Sequence, residues 1–501
     1  MRSKLLIRNI TASLFFQLVT LVCGFVLPRF TLSYFGSEVN GLVNSINQFL
    51  QAISFLELGV GAVVQSALYK PLAENNYDEV SKVITSADRF FRKIGIALIV
   101  YLMILLVVYP YITNSSFSIS YIDLLLVIMC CSSFAQYFLG VVDRLFLIAS
   151  QRGFVAYLVQ TCCIAANAIS CIILIELKQS IHVVKIATAI IYVLQPIVIR
   201  TYINKHYRIN RHVIYTDEPI KQKWNGVAQH VSALILDTTD TIVLTVFSSL
   251  QNVSIYSIYN LVVNGLKTLL MSVSSSTQAL MGELWAKGEM SKLKDLLSWY
   301  EWIVNVIVNF TFGCASVLIV SFVKINTTGV TDANYEQPIF AVIITAANAM
   351  YCLKLPYNTM VLAAGHYKET QNSFIISAAL NLSLSVIFVK AFGLVGVALG
   401  TLISMGYQTV WLAEYVSRNM IKGKKSALLK QLSLDIIIWI LASLICRMFS
   451  KQCLTFIAWI CEAAKDACIW ALVIVLINFL FNREYMYRLY RKVCKKKNGN
   501  N

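Results

Sequence analysis

The chain has 501 residues, 58% of them hydrophobic and 13% charged, with a formal net charge of +17. A soluble protein carries roughly a quarter of its residues as Asp, Glu, Lys or Arg, so this composition excludes an ordinary soluble enzyme and indicates a polytopic membrane protein. Thirteen cysteines are scattered through apolar runs without zinc-ligand spacing, which points to no disulfide framework, no metal site and no cofactor.

At the N-terminus Arg2, Lys4 and Arg8 precede an apolar run that imitates a signal peptide. The run continues past Phe25 without a small-residue cleavage site, so it reads as the first span. Stretches of roughly 20 apolar residues suffice to cross about 30 Å of hydrocarbon. They predict spans over 10–34, 40–68, 93–112, 121–147, 154–176, 181–203, 227–249, 253–282, 298–323, 338–364, 371–391, 393–416, 427–449 and 454–481. The expected fold class is therefore all-α, with about 14 transmembrane helices.

Most of the 42 Lys and Arg residues fall at the N-terminus, in alternate loops and in the C-terminal tail, which places both termini in the cytoplasm. The positive charge is thus mainly a topology signal. The basic run Lys495-Lys496-Lys497 reads as a solvated segment beside an anionic leaflet, and no nucleic-acid partner is expected.

The chain also repeats itself. AENNYDEVSKVI, beginning at Ala73, matches AKGEMSKLKDLL, beginning at Ala286, and LIASQRG with Ala149 matches LAAGHYK with Ala364. Two loops matched at nearly the same offset predict duplicated six-helix lobes, related as parallel repeats about an axis along the membrane normal. The expected domains are 1–213, 214–425 and an appended helix pair with basic tail at 426–501. Val80, Val83, Ile84 and Ala87, and likewise Leu293, Leu296, Leu297 and Tyr300, keep helical spacing and predict amphipathic segments along the cytoplasmic surface.

Six ionisable residues interrupt the apolar spans: Arg29, Glu57, Asp237, Asp240, Lys267 and Lys354. Each costs several kcal/mol at bilayer depth unless it faces protein or water, so together they suggest a polar transport pathway. Each also has a structural reading. Arg29 suits the outer interface with its charge among headgroups. Glu57 lies in LELGVGA, whose Gly59 and Gly61 suit close helix packing. Asp237 and Asp240 share a helical face with threonines around them, fitting either cation coordination or an inter-helix salt bridge. Lys267 falls mid-span. Lys354 stands beside Pro356 and Asn358, where a broken helix would expose backbone polar groups. Asp143-Arg144, Arg152, His366 and Lys368 read as interfacial anchors at cytoplasmic helix ends, and Asp435, Glu462, Lys465 and Asp466, in the appended helices, as charges that pair within the protein.

The segments FGSEVNGLVNSINQFLQAISFLELGVG (35–61) and KLPYNTMVLAAGHYKETQNSFIISAALNLSLSVIFVKAFGLVGVALGTLISMGYQTVWLAEY (354–415) resemble the Wzx-type polysaccharide flippases. That family belongs to the superfamily of multidrug exporters and lipid II flippases, and the likeness extends over the whole chain in span number and lobe layout. It implies translocation of an undecaprenyl-pyrophosphate-linked oligosaccharide across the bacterial inner membrane by alternating access, for O-antigen, capsule or exopolysaccharide synthesis. The partners implied are the lipid-linked oligosaccharide, membrane lipids and polysaccharide polymerase or assembly proteins. Arg29, Lys267 and Lys354 then become phosphate partners, Arg because its planar fork grips two oxygens. Glu57, Asp237 and Asp240 hold those cations, bind sugar hydroxyls or exchange a coupling proton, and Asn358 adds a polar wall group. Two alternatives stay open, a drug–cation antiporter of the same superfamily and a membrane polysaccharide polymerase. The polymerase would need a long outer loop, and the longest here is the short stretch from Ile325 to Gln337. No Gly-rich phosphate cradle or Ser-His-Asp arrangement appears, so an enzyme is not expected.

Overall fold

Inside a bilayer each backbone N–H and C=O must be satisfied within its own segment, so long apolar runs with few breakers fold as long helices. The structure, a computed structural model, describes residues 2–57, 60–113, 115–215, 220, 227–421, 426–450, 453, 455–488 and 491. Among these, α1 (Arg2–Gln51), α2 (Val60–Ala73), α3 (Tyr77–Ile112), α4 (Ile119–Ala135), α5 (Val141–Ala149), α6 (Gly153–Glu176), α7 (Ile181–His206) and α8 (Val227–Phe247) come first. They are followed by α9 (Leu250–Ala286), α10 (Met290–Asn326), α11 (Pro338–Leu353), α12 (Leu355–Ala364), α13 (Tyr367–Tyr415), α14 (Ser426–Met448) and α15 (Phe456–Phe481). A 3-10 turn, Ala52–Glu57, follows α1, and π-helical turns Gln136–Gly140 and Val416–Ile421 follow α4 and α13.

Among the described residues, ten helical runs are long and apolar enough to cross a membrane. Two of them, Ile7–Ser54 and Tyr367–Ile421, contain a sharp bend where a glycine takes positive φ, Gly36 at 80° and Gly393 at 54°. Side-chain-bearing residues rarely adopt that region, whereas glycine enters it freely. Both bends fall where one expected span gives way to the next. At the first, Ser37 N–H donates to Asp332 Oδ2 at 2.6 Å and the Ser37 hydroxyl to Oδ1 at 2.7 Å. Asp332 thereby caps the second arm of α1 from a distant loop, with its charge at the positive end of the helix dipole.

The amphipathic segments expected along the membrane surface are not separate helices. They form the first turns of α3 and α10, because neither stretch contains a proline or glycine that would end the helix before the apolar run begins. Asn76 caps α3 by accepting the Glu79 N–H at 3.1 Å, and Val80, Val83, Ile84 and Ala87 are buried in the core.

Two compact units result. Unit 1 comprises the described residues of Met1–Ser257 and Gly329–Ala333, and unit 2 those of Ile258–Thr328 and Asn334–Asn501. Within unit 1, α1 packs on α6 and α8, α2 on α3 and α5, and α4 on α7. Hydroxyl and amide pairs tie these helices: Asn40 donates to Ser254 at 2.7 Å, Ser45 meets Thr245 at 2.7 Å, and Tyr109 donates to Ser45 at 2.7 Å. Such bonds act as inter-helix glue where lipid supplies no hydrophobic drive. Within unit 2, α11 packs on α10 and α13, and α10 on α14 and α15. A Cβ at Gly313 would stand 2.2 Å from Trp470 Cζ3, so α15 reaches α10 by filling the space of an absent side chain.

Candidate functional site in unit 2

The site begins with a proline. Pro356 has no N–H, so the helical bond to the Cys352 carbonyl is lost and the run 338–364 divides at Lys354. The break is milder than the sequence suggested. Lys354 keeps right-handed helical dihedrals, its N–H donates to Met350 O at 3.2 Å, and Asn358 N–H donates to Lys354 O at 3.0 Å.

Lys354 is buried, 4% exposed. Its Nζ donates to Gln408 Oε1 of α13 at 2.7 Å and lies 4.2 Å from the ring centroid of Tyr351 and 5.9 Å from that of Phe374. Tyr351 is three residues earlier and therefore on the same helical face. Lys267, from α9, brings its Nζ to 4.7 Å from the same Tyr351 ring, whose hydroxyl points to Met271 Sδ, one turn beyond Lys267, at 3.9 Å. Each ammonium gains roughly 0.5–1 kcal/mol from the ring face. Two like charges drawn to one ring nevertheless repel each other, and an anion placed near both would offset that repulsion. Beside them Asn358 Oδ1 and Gln408 Nε2 are buried without a hydrogen-bond partner, one acceptor and one donor.

The other expected site residues lie in unit 1. Asp240, buried on α8, accepts the Tyr256 hydroxyl at 2.9 Å among the buried threonines Thr238, Thr239 and Thr241. Asp237, one turn earlier, is exposed. Arg29 is exposed on the first arm of α1 beside Pro28. Glu57 ends the 3-10 turn, and its side chain lies outside the described residues. The structure thus gathers Lys267, Lys354 and Asn358 in one place and sets Asp237 and Asp240 together on α8.

Tyr351 and Gln408 were not anticipated. A glutamine inside an apolar span was the available signal for Gln408, and three-residue spacing to Lys354 the signal for Tyr351. A second omission is a buried charge network in unit 1. Asp143 pairs with Arg200 Nε at 3.0 Å and with Arg211, and Asp88 pairs with Arg211 at 3.1 Å and Arg200 at 3.9 Å. Asp143 is fully buried rather than an interfacial anchor, while its neighbour Arg144 is exposed. Burial alone would lower the Arg211 pKa, and the adjacent Asp143 and Asp88 outweigh it, holding the guanidinium above its ordinary value. His366 is partly buried, its Nδ1 at 2.8 Å from the Tyr415 hydroxyl and its ring edge-on to Trp285.

No protein-family model and no curated relative matches this sequence. Solved structures do match. The lipid II flippase MurJ, in an inward closed conformation, superposes with a TM-score of 0.69 at 16% identity, over 96% of this chain and 100% of that one. This chain has the fold of the MOP-superfamily transporters. An inward-facing multidrug resistance MATE transporter gives 0.64 at 12% identity, over 82% of this chain and 98% of its own. A MOP-superfamily transporter from Pyrococcus furiosus, described as having a binding pocket of reversed polarity that suggests a different function, gives 0.58 at 13% identity, over 83% and 96%.

Proposed function

We propose that this protein is a flippase that moves an anionic, lipid-linked oligosaccharide, with the sugar carried on undecaprenyl pyrophosphate, from the cytoplasmic to the periplasmic leaflet of a bacterial inner membrane. It works by alternating access with fourteen spans and both termini inside, as a Wzx-type exporter in surface-polysaccharide synthesis. The observation that carries this reading is the convergence of Lys267 and Lys354 on one aromatic ring, with amide groups open beside them. A pyrophosphate needs concentrated positive charge, and sugar hydroxyls need amide donors and acceptors. The MurJ-like fold over 96% of the chain supports a lipid-linked substrate, and one neighbour of this fold is described as having a binding pocket of reversed polarity that suggests a different function. Asp237, Asp240 and Glu57 are the acidic members of the pathway, with Arg29 at its outer end.

Deleting the gene in a polysaccharide-producing host should leave lipid-linked units on the cytoplasmic leaflet. Lys267→Ala and Lys354→Ala should reproduce that accumulation with folded protein in the membrane. Units accumulating unpolymerised on the periplasmic side would instead identify a polymerase. Full activity in both variants would remove the lysine pair from the mechanism.

A further inference from the structure

The appended helices α14 and α15 have no role in the function proposed above, yet they bury a carboxyl group that has no basic partner. Asp435 lies on α14 in a run long and apolar enough to span the membrane, and it is 6% exposed. Its Oδ1 accepts two amide donors, Asn309 Nδ2 of α10 at 2.8 Å and Gln431 Nε2, one turn back on α14, at 3.1 Å. Its Oδ2 is buried with no hydrogen-bond partner. Among the described residues, the ion pairs of the appended helices and the segment after them join Lys465 to Glu462 and Asp466, and Arg488 to Asp295, and none includes Asp435. The expectation that Asp435 forms a salt bridge like its neighbours is therefore replaced by an amide cradle.

Among the described residues, the groups around it carry no compensating positive charge. From α10, Asn309 donates onward to Asn305 O at 2.9 Å and Asn305 to Glu301 O at 3.0 Å, so one helical face presents Glu301, Asn305 and Asn309 in successive turns. From α12, the buried Tyr357 lies within electrostatic reach of both Glu301 and Asp435. From α15 come the neutral amides Asn478 and Asn482, with Asn482 meeting Gln431 Oε1 at 3.5 Å and Asn478 Oδ1 at 3.0 Å. Asp466 sits farther along, paired with Lys465 at 3.6 Å. On α14 itself Lys430 is exposed. Among the described residues, the titratable group within electrostatic reach of Asp435 is thus the Tyr357 phenol.

A carboxylate in this setting would have one oxygen solvated by amides and the other buried with no donor. A carboxylic acid fits better: Oδ1 as the carbonyl accepts both amide hydrogens, and Oδ2 carries a neutral hydroxyl, whose burial costs less than that of a charged oxygen. We propose that Asp435 is a proton-binding site built into the helix pair outside the two-lobe repeat. The reaction is transfer of one proton from hydronium to one carboxylate: an O–H bond forms at Oδ2 as one breaks in hydronium, which leaves as water. Proton release then requires the contact between α14 and α10 to admit water, so occupancy of the site is tied to how α14 packs.

The test is infrared difference spectroscopy of the full-length protein in lipid nanodiscs, without substrate. The wild type should show a protonated-carboxyl C=O band that shifts on exchange into D2O. Asp435→Asn keeps an oxygen for the two amide donors and should lose that band, whereas Glu301→Gln should retain it. Where Asp435→Asn fails to yield folded protein, Asp435→Glu should fold and move the band. An unchanged band in Asp435→Asn or Asp435→Glu overturns the proposal, as does its loss in Glu301→Gln. A band present in potassium buffer and absent in sodium buffer also overturns it, because the site would then hold a sodium ion on a carboxylate. None of these readouts involves the lysine pair, so their failure leaves the flippase reading standing, and the converse holds.

Discussion

In unit 1, two acids, Asp88 and Asp143, meet two bases, Arg200 and Arg211; in unit 2, two bases, Lys267 and Lys354, meet at one tyrosine ring with amides around them. Both arrangements take charge out of water. The first cancels its charge internally and leaves no net field for a ligand to feel. The second brings two charges of one sign to the face of one aromatic ring, with the Gln408 side-chain oxygen accepting from Lys354. Cancelled charge specifies a fold; concentrated charge of one sign prepares a site for the opposite sign.

The largest expected effect breaks the cancelled side. Asp143→Ala leaves two partly buried guanidinium groups facing only Asp88, and removing one partner of a buried pair costs about 3–5 kcal/mol. Thermal unfolding in detergent should show a large drop in midpoint, with transport falling in step with the folded fraction. Replacing both partners, Asp143→Asn with Arg211→Gln, should recover much of the loss. A near-neutral Asp143→Ala would mean that the network is not what secures this end of unit 1.

The next effect tests the concentrated side and should divide the two regions cleanly. A charge-assisted hydrogen bond to phosphate is worth about 1.5–3 kcal/mol, so Lys354→Ala or Lys267→Ala should reduce transport by about 10–100-fold. The unfolding midpoint should hardly move, and relief of repulsion should raise it slightly if anything. Unfolding that tracks the activity loss would place these lysines in the same structural class as the unit 1 network.

The sequence revealed these two regions unequally, for physical reasons. Lys354 and Lys267 stood out because a charge inside an apolar run is conspicuous, and Pro356 marked the step in its helix. The bends at Gly36 and Gly393 were legible as gaps between apolar stretches. Arg211 was not, because it lies in a hydrophilic segment that looks solvated, and only the packing of α3, α5 and α7 brings Asp88, Asp143 and Arg200 to it. Gln408 is 54 residues from Lys354, and nothing local states which of many polar residues in α13 will face α11. The first turns of α3 and α10 were legible as amphipathic, but periodicity alone does not say whether an amphipathic turn lies flat or continues into the next span.

The smallest effect sharpens what holds the lysines in place. Tyr351→Phe keeps the ring face that both ammonium groups approach and removes only the hydroxyl directed at Met271, so transport should change by less than about twofold. Tyr351→Leu removes the quadrupole from both lysines, about 1–2 kcal/mol in total, and should lower transport by about 5–30-fold with little change in stability. The sign decides the role of the ring. A decrease means that Tyr351 pre-aligns the two cations for an anion; an increase means that it occupies the anion's place and must be displaced. In either case Tyr351→Phe should behave like the wild type, and a Phe variant as impaired as Leu would show that the hydroxyl, rather than the ring, organises the site.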